Sequence, residues 1–355
     1  MLEFPYDWRL SVEHNAKLLA RAVDQHLEQW RRHRKGSKSA QVVLVAHSMG
    51  GLVARYFTEV LGGSAEVRAV ATLGTPFYGA VKAAHLLSTG QGAPWLPRKR
   101  LRELATTLPG LHDLLPSYRC VDEGDQSRRL TPSDVSALGG NAELAEEAFV
   151  RRERLLGSRE SQSWRGLWPL VGVEQETMQS LVLRNGAAEA KYYTLEPSDS
   201  GLKRVDRRGD GTVYRAAACL AGAQPLHLPQ THGALAARAE GITHARAVLT
   251  GHEQGPYLAG IIELGLHVPD VVSINEPFVI RVSGCNDPKA VECRVSEAGT
   301  GHVLKRPLLA HEDECLMAAV QLVKPGLYRI AAKAGGLSAV TELVLAVTPE
   351  DAIEE

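Results

Sequence analysis

The sequence predicts a mostly parallel α/β sheet with a helical insertion, followed by a small all-β, sandwich-like domain. Two observations carry this. Up to about residue 250, apolar strand-like runs alternate with segments of helical periodicity, the rhythm of an α/β fold. Beyond about residue 256 the rhythm changes to short runs of alternating residues separated by Gly, Pro, Asn and Asp, as in a β-sandwich. The boundaries expected are 1–255 for the α/β part, with the insertion at about 80–188, and 256–355 for the sandwich-like part with a short tail.

The first element is a helix over about 11–33, with apolar positions at Val12, Ala16, Leu19, Val23 and Leu27. A basic run, Arg31 to Lys38, follows; it reads as a solvated helix end and loop in preference to an anionic-membrane contact. Then comes Val42-Val43-Leu44-Val45-Ala46-His47-Ser48-Met49-Gly50-Gly51-Leu52. Its apolar, β-branched start is a buried parallel strand. Two glycines open a segment with helical spacing at Leu52, Val53, Tyr56, Phe57 and Val60.

A serine on a sharp turn between such a strand and helix is the nucleophile elbow of α/β-hydrolases. Small residues two before and two after it, Ala46 and Gly50, leave room for the strained turn. The usual pattern has Gly at both places, and Ala46 adds one methyl. The helix behind the serine presents backbone N–H groups where an oxyanion forms, Met49 first. The bland alternative, Ser48 as a simple helix cap, does not account for strand, turn and helix arriving in that order.

Val67–Leu73 is the next buried strand, ending in Gly74-Thr75-Pro76-Phe77-Tyr78-Gly79. Open α/β sheets place ligands at this edge, so His47, Pro76 and Phe77 are expected to line the substrate site. Residues 80–188 break the rhythm with Leu- and Trp-rich helical fragments (Trp95, Trp164, Trp168) and read as a cap over an apolar site. Ala190–Leu195 is expected to resume the sheet, and Pro225–Leu228 to be its last short strand. The sandwich strands are expected at Ile261–Leu266, Phe278–Val282, Val291–Val295, Val303–Leu308, Met317–Leu322, Leu327–Ala331 and Ala339–Val347.

A serine nucleophile needs a base, and the base a carboxylate, in the chain order Ser, acid, His. Arg208-Gly209-Asp210-Gly211-Thr212-Val213 puts a carboxylate in a tight glycine turn. Thr231-His232-Gly233 puts a histidine beyond the last short strand, at the start of a helix. Asp199 and Asp206 lie nearby without flanking glycines; His227 lies inside a strand, and His244 and His252 come a helix later.

These residues resemble the lecithin–cholesterol acyltransferase family of α/β-hydrolases. The likeness rests on Pro5-Tyr6-Asp7-Trp8-Arg9, Ala46-His47-Ser48-Met49-Gly50-Gly51, Leu73-Gly74-Thr75-Pro76 and Gly209-Asp210-Gly211-Thr212-Val213, with His232 downstream. It implies Ser48, Asp210 and His232 as a catalytic triad, Met49 as an oxyanion-hole donor, and no cofactor or metal. It also implies a strand and an oxyanion loop ahead of the Tyr-Asp-Trp-Arg element, where this sequence has almost nothing. The core is therefore expected to be N-terminally incomplete, with an exposed edge on the elbow strand, poor solubility and weak activity. The sandwich lies outside the resemblance and is expected to fold independently, with no part in the chemistry.

The function expected is a serine-dependent acyl-ester enzyme, O-acyltransferase or lipase, acting on lipid or other carboxylic esters. The alternative is a degenerate hydrolase-like module whose sandwich binds a partner or glycan. In the 355 residues, 40 Lys plus Arg balance 41 Asp plus Glu, a formal charge of −1, which argues against nucleic acid as a partner. Peripheral membrane contact and oligomeric state are left open. No apolar run reaches 18 residues and the start lacks a signal-peptide pattern. Five cysteines without C-x-x-C spacing suit reduced thiols and a cytoplasmic location. A Cys285–Cys293 cross-link is disfavoured. His311-Glu312-Asp313-Glu314-Cys315 has metal-ligand residue types but no ligand spacing, and reads as an acidic turn.

Overall fold

The computed structural model describes residues 1–91, 97–161, 166–184, 186–198, 201–252, 264–312, 315–335 and 338–348. Trp95, Trp164, Asp199, Pro256, the start of the expected strand at 261 and the tip of the acidic turn at 313–314 lie outside them.

The first helix is Val12–Arg32, capped by the Ser11 side chain, and Val12, Ala16, Leu19, Val23 and Leu27 form its buried face. The central sheet is parallel and four-stranded, in the order Val42–His47, Val67–Leu73, Leu167–Val173, Leu226–Pro229. The first helix and the elbow helix cover one face through a core containing Leu19, Val23, Leu52, Phe57 and Val70. Helix Ala239–Thr250 covers part of the other, where Val248 packs on Ala69 and Ala71.

The elbow strand is an edge strand among the described residues. Residues 1–6 contain no strand, and Val45 is 46% exposed. No described helix is long and apolar enough to cross a membrane.

Two expectations are corrected. The third strand of the sheet, Leu167–Val173, falls inside the stretch read as a continuous insertion. Ala190–Leu195 does not resume the sheet. Its first residues end strand Ala187–Lys191, which pairs with Ser180–Arg184, and its last begin a separate hairpin, Thr194–Ser198 with Gly201–Val205. The cap is thus built from two insertions, one on each side of Leu167–Val173. They share a four-stranded sheet, Ser127–Arg129, Arg119–Asp122, Ser180–Arg184 and Ala187–Lys191, and a core that includes Leu87, Leu111, Val121 and Leu181.

Beyond residue 264 two sheets enclose one core containing Phe278, Ile280, Val295, Leu316, Ile330 and Val344. One holds Gly265–His267, Pro277–Ser283, Cys315–Gln321 and Ala310–Glu312; the other holds Val271–Ser273, Val340–Val347, Gly326–Ala334, Val291–Glu297 and Val303–Lys305. The alternation holds residue by residue: Phe278, Ile280 and Val282 are buried and their neighbours are not fully so. All five cysteines are free. His311 and Glu312 pair with Leu316 and Cys315 as arms of a hairpin, so strand extends further into the acidic segment than expected.

Candidate active site

Ser48 follows the elbow strand with φ +54° and ψ −130°, a conformation that L-residues rarely adopt and that costs about 1–3 kcal/mol. Its surroundings hold it there. Its N–H donates to the Leu73 carbonyl at 2.9 Å, and its own carbonyl accepts from Gly51 N–H at 3.0 Å and from the Thr75 hydroxyl at 3.0 Å. A Cβ on Gly51 would stand 2.0 Å from the Thr75 oxygen, so glycine is required there for this approach. A Cβ on Gly50 would stand 3.8 Å from the Cβ of Ala46, an ordinary contact, so the extra methyl at the first small position fits. Tyr6 packs beside Gly50, and Asp7 clasps Arg9 through its side chain and backbone. That ion pair holds the Asp7 carboxyl down at about 2. Met49 is the first residue of helix Met49–Arg55, where a backbone N–H has no intrahelical acceptor.

Asp210 is 1% exposed. Its turn hangs from the end of the third strand: Gln175 and Gly209 exchange backbone hydrogen bonds at 2.9 and 3.0 Å. A Cβ on Gly209 would meet the Val213 carbonyl at 2.2 Å, and Gly211 has φ +86°, which is why glycines flank the acid. One carboxylate oxygen accepts from the N–H groups of Thr212 and Val213, at 3.0 and 2.7 Å. The other is 2.7 Å from Nδ1 of His232. The opposite ring nitrogen, Nε2, is 2.8 Å from Oγ of Ser48. His232 N–H also donates to the Asp210 carbonyl at 2.7 Å. His232 sits in a turn; the helix expected to start there begins at Ala239.

The other expected site residues divide. His47 turns Nε2 to the backbone carbonyl of His232 at 2.9 Å, and its ring lies 4.8 Å from the His232 ring. A carbonyl only accepts, so Nε2 carries the proton. Burial first, and the neighbouring His232 second, push the His47 pKa down and favour the neutral ring. Pro76 is buried and its carbonyl accepts from Arg152 at 3.0 Å. Phe77 is corrected: it does not line a substrate surface. It is fully buried, with the guanidinium of Arg55 5.3 Å from its ring centroid and Arg55 itself in a buried pair with Glu59.

The competitors lie elsewhere. Asp206 accepts from Gln179 and from the Arg208 backbone. His227 neighbours Cys219, His244 is buried against the Trp168 carbonyl, and His252 bonds Thr250.

Several site residues carried no role in the sequence. A Cβ on Gly172 would stand 2.4 Å from the Cβ of Asp210, so the third strand needs bare backbone beneath the acid. The Thr177 hydroxyl accepts from Gly211 N–H at 2.9 Å. Glu342, from sandwich strand Val340–Val347, reaches over the acid turn, its Oε1 3.9 Å from where a Gly211 Cβ would be. Burial, then the charges of Asp270 and Asp210 against that of Lys82, push its carboxyl up to about 7. The sandwich does not stand apart from the site: it touches both the acid turn and the histidine loop. A cavity of about 290 Å³, lined by Tyr78, Tyr118, Thr194 and Tyr214 among others, lies between cap and core.

Residues 1–156 match the family described as "Lecithin:cholesterol acyltransferase". The match includes Ser48 and ends before Asp210 and His232. Among solved structures, the chain is similar to one in the Tle4–Tli4 complex, at 16% identity and TM-score 0.50, over 68% of this chain and 66% of that one. It is also similar to the lipase BlEst2 of Bacillus licheniformis in propeptide form, at 13% identity and TM-score 0.36, over 94% of this chain and 64% of that one. A superoxide reductase (neelaredoxin) from Ignicoccus hospitalis matches 24% of this chain and 80% of its own, at 18% identity and TM-score 0.19. The chain thus spans just under two thirds of the Tle4–Tli4 and BlEst2 chains, 66% and 64%. No curated protein matches. With the fold of an α/β-hydrolase and this match, the resemblance to the lecithin:cholesterol acyltransferase family is shown over residues 1–156.

Proposed function

We propose that the chain is a serine-dependent acyl-ester enzyme acting on lipid or other carboxylic esters. The observation that carries the reading is the continuous hydrogen-bonded series Asp210–His232–Ser48, with contacts of 2.7 and 2.8 Å, at the C-terminal edge of a parallel sheet. The match of residues 1–156 to an acyltransferase family supports it.

In this reading Ser48 Oγ attacks the ester carbonyl carbon while His232 Nε2 takes the hydroxyl proton. Asp210 holds the Nδ1–H and offsets the charge of the imidazolium. The carbonyl oxygen, now an oxyanion, faces the N–H of Met49. Collapse breaks the bond to the leaving alcohol, which takes its proton back from His232, and leaves an acyl group on Ser48. Water or an alcohol then attacks that ester, giving its proton to His232, which returns it to Ser48. Hydrolysis or acyl transfer follows from which acceptor reaches the acyl-enzyme. His47 braces the base loop through the His232 carbonyl beside the substrate.

The test is labelling with a fluorophosphonate ester, read by mass spectrometry, together with turnover of nitrophenyl esters of increasing chain length. A covalent adduct on Ser48 and release of nitrophenol are expected. An unreactive Ser48 in folded protein would overturn the reading. Partition of a long-chain acyl donor between water and added alcohols then separates hydrolase from transferase.

A further inference from the structure

The two residues before His232 are bonded to the C-terminal sandwich. The hydroxyl of Thr231 donates to the backbone carbonyl of Thr341 at 2.7 Å, and both residues are buried. Gln230 Nε2 donates to the carbonyl of Ala339 at 2.9 Å. Just past the loop, Arg238 donates to the Thr341 hydroxyl at 2.6 Å, and Glu240 accepts from Ser338 N–H at 3.1 Å.

The acid turn is held in the same way. Gln175, 1% exposed, donates to the Leu264 carbonyl at 3.0 Å and accepts from Leu266 N–H at 2.9 Å. Arg208 donates to the Ser283 hydroxyl at 2.6 Å. The loop carrying His232 has no strand; besides the bonds to the sandwich, the His232 N–H is held by the Asp210 carbonyl and the His232 carbonyl by His47. A buried side chain bonded across an interface is a strong constraint on such a loop, because breaking it strands a buried carbonyl.

We propose that the C-terminal sandwich is a working part of the ester site, and that Thr231 is the positioning residue through which it holds His232 in register with Ser48. This rests on the roles given above to Ser48, Asp210 and His232. Proton transfer from Ser48 needs the 2.8 Å contact to His232, and a displacement near 1 Å in such a pair costs about 10²-fold in rate. The sandwich supplies no atom to the chemistry through this bond. It sets where the base stands.

The test compares the full-length protein with Thr231→Val, which keeps shape and removes the donor, and Thr231→Ser, which keeps the donor. Fluorophosphonate labelling of Ser48 is followed against probe concentration, with hydrogen exchange of the 230–232 amides and thermal denaturation in parallel. Thr231→Val is expected to lower the maximal labelling rate by about 10–100-fold. The half-saturating probe concentration stays unchanged, and exchange at 230–232 rises. Thr231→Ser is expected within about threefold of wild type, since the bond is restored. If Thr231→Val does not fold, Thr231→Ala is read in its place. A folded Thr231→Val protein labelling at the wild-type rate overturns the proposal, as does Thr231→Ser labelling as slowly as Thr231→Val. Wild-type protein that is folded and unlabelled overturns the ester-enzyme reading instead. The positioning bond is then judged by exchange alone, and unchanged protection of 230–232 in Thr231→Val overturns it too.

Discussion

Gly74 lies directly against the bond between Asp210 and His232. A Cβ on Gly74 would stand 3.0 Å from Oδ2 of Asp210 and 3.1 Å from Nδ1 of His232, and its φ is +61°. The acid–base pair is packed on bare backbone, in a conformation that L-residues enter at a cost of about 1–2 kcal/mol. Gly74→Ala is expected to lower fluorophosphonate labelling at least tenfold, on the order of the displacement penalty in such sites. It should also lower the melting temperature by a few degrees. Wild-type labelling in this variant would show that the close approach has no consequence for the pair.

Ser48 is held in a strained conformation by its bonds to Leu73, Gly51 and Thr75. Ser48→Ala and Ser48→Gly should both lose labelling and ester turnover. Of the two, Ser48→Gly is expected to be more stable by about 1 kcal/mol, because glycine enters φ +54° without the Cβ penalty. Denaturation midpoints measure the difference. Equal stability would mean that the elbow is not strained at this residue.

Three histidines near the end of the α/β part separate by environment. His232→Gln should cost several orders of magnitude in ester turnover, since its Nε2 is the ring nitrogen bonded to the Ser48 hydroxyl, whereas that of His47 turns to the His232 carbonyl. His227→Gln, on the last strand beside Cys219, should leave turnover near wild type. His244→Gln should lower stability by about 1–3 kcal/mol through its buried bond to the Trp168 carbonyl, with turnover kept below the melting temperature. A larger turnover loss at His227 or His244 than at His232 would move the base elsewhere.

Glu342 gives the fold a pH slope. Burial, with Asp270 next in weight, lifts its carboxyl from the ordinary 4.5 to about 7. Between those values the folded chain holds a proton that the unfolded chain has released. Stability from this group therefore falls as pH rises through that window and stays low above it. Glu342→Gln removes the slope. It should be more stable than wild type at pH 8, by on the order of 1–3 kcal/mol, and no more stable at pH 4. Denaturant titrations at the two values decide; equal differences at both would refute the shift.

The elbow and the acid turn could be read from sequence because each is a local solution. A strand, a strained serine and two glycines form one short piece, and Gly209 and Gly211 mark the turn around Asp210 by their own backbone needs. The sandwich was legible because burial alternates every second residue, as at Phe278, Ile280 and Val282. The third strand was not legible. Leu167–Val173 contains Pro169 and Gly172, which weaken any strand signal, and Gly172 is there because Asp210 packs on it. Ala190–Leu195 carries β-forming residues, which predict a strand of the central sheet, but these residues serve the cap. Phe77 stands in the loop at the ligand edge, but its ring is buried under Arg55. The bonds from Thr231 to Thr341 and from Gln175 to Leu264 join residues 110 and 89 apart through backbone carbonyls, which no residue pattern announces.

The bond between Thr231 and Thr341 also sets a timetable. Ribosomes deliver the chain from its N-terminus, so Ser48 and its elbow emerge roughly 300 residues before strand Val340–Val347. At about 5–20 residues per second that interval is about 15–60 s. Over the last 110 residues of that interval Thr231 is already made but its acceptor, the Thr341 carbonyl, is not. Under the positioning proposed for Thr231, Ser48 gains its full reactivity only once strand Val340–Val347 docks, and a chain stopped before Thr341 carries a slower serine.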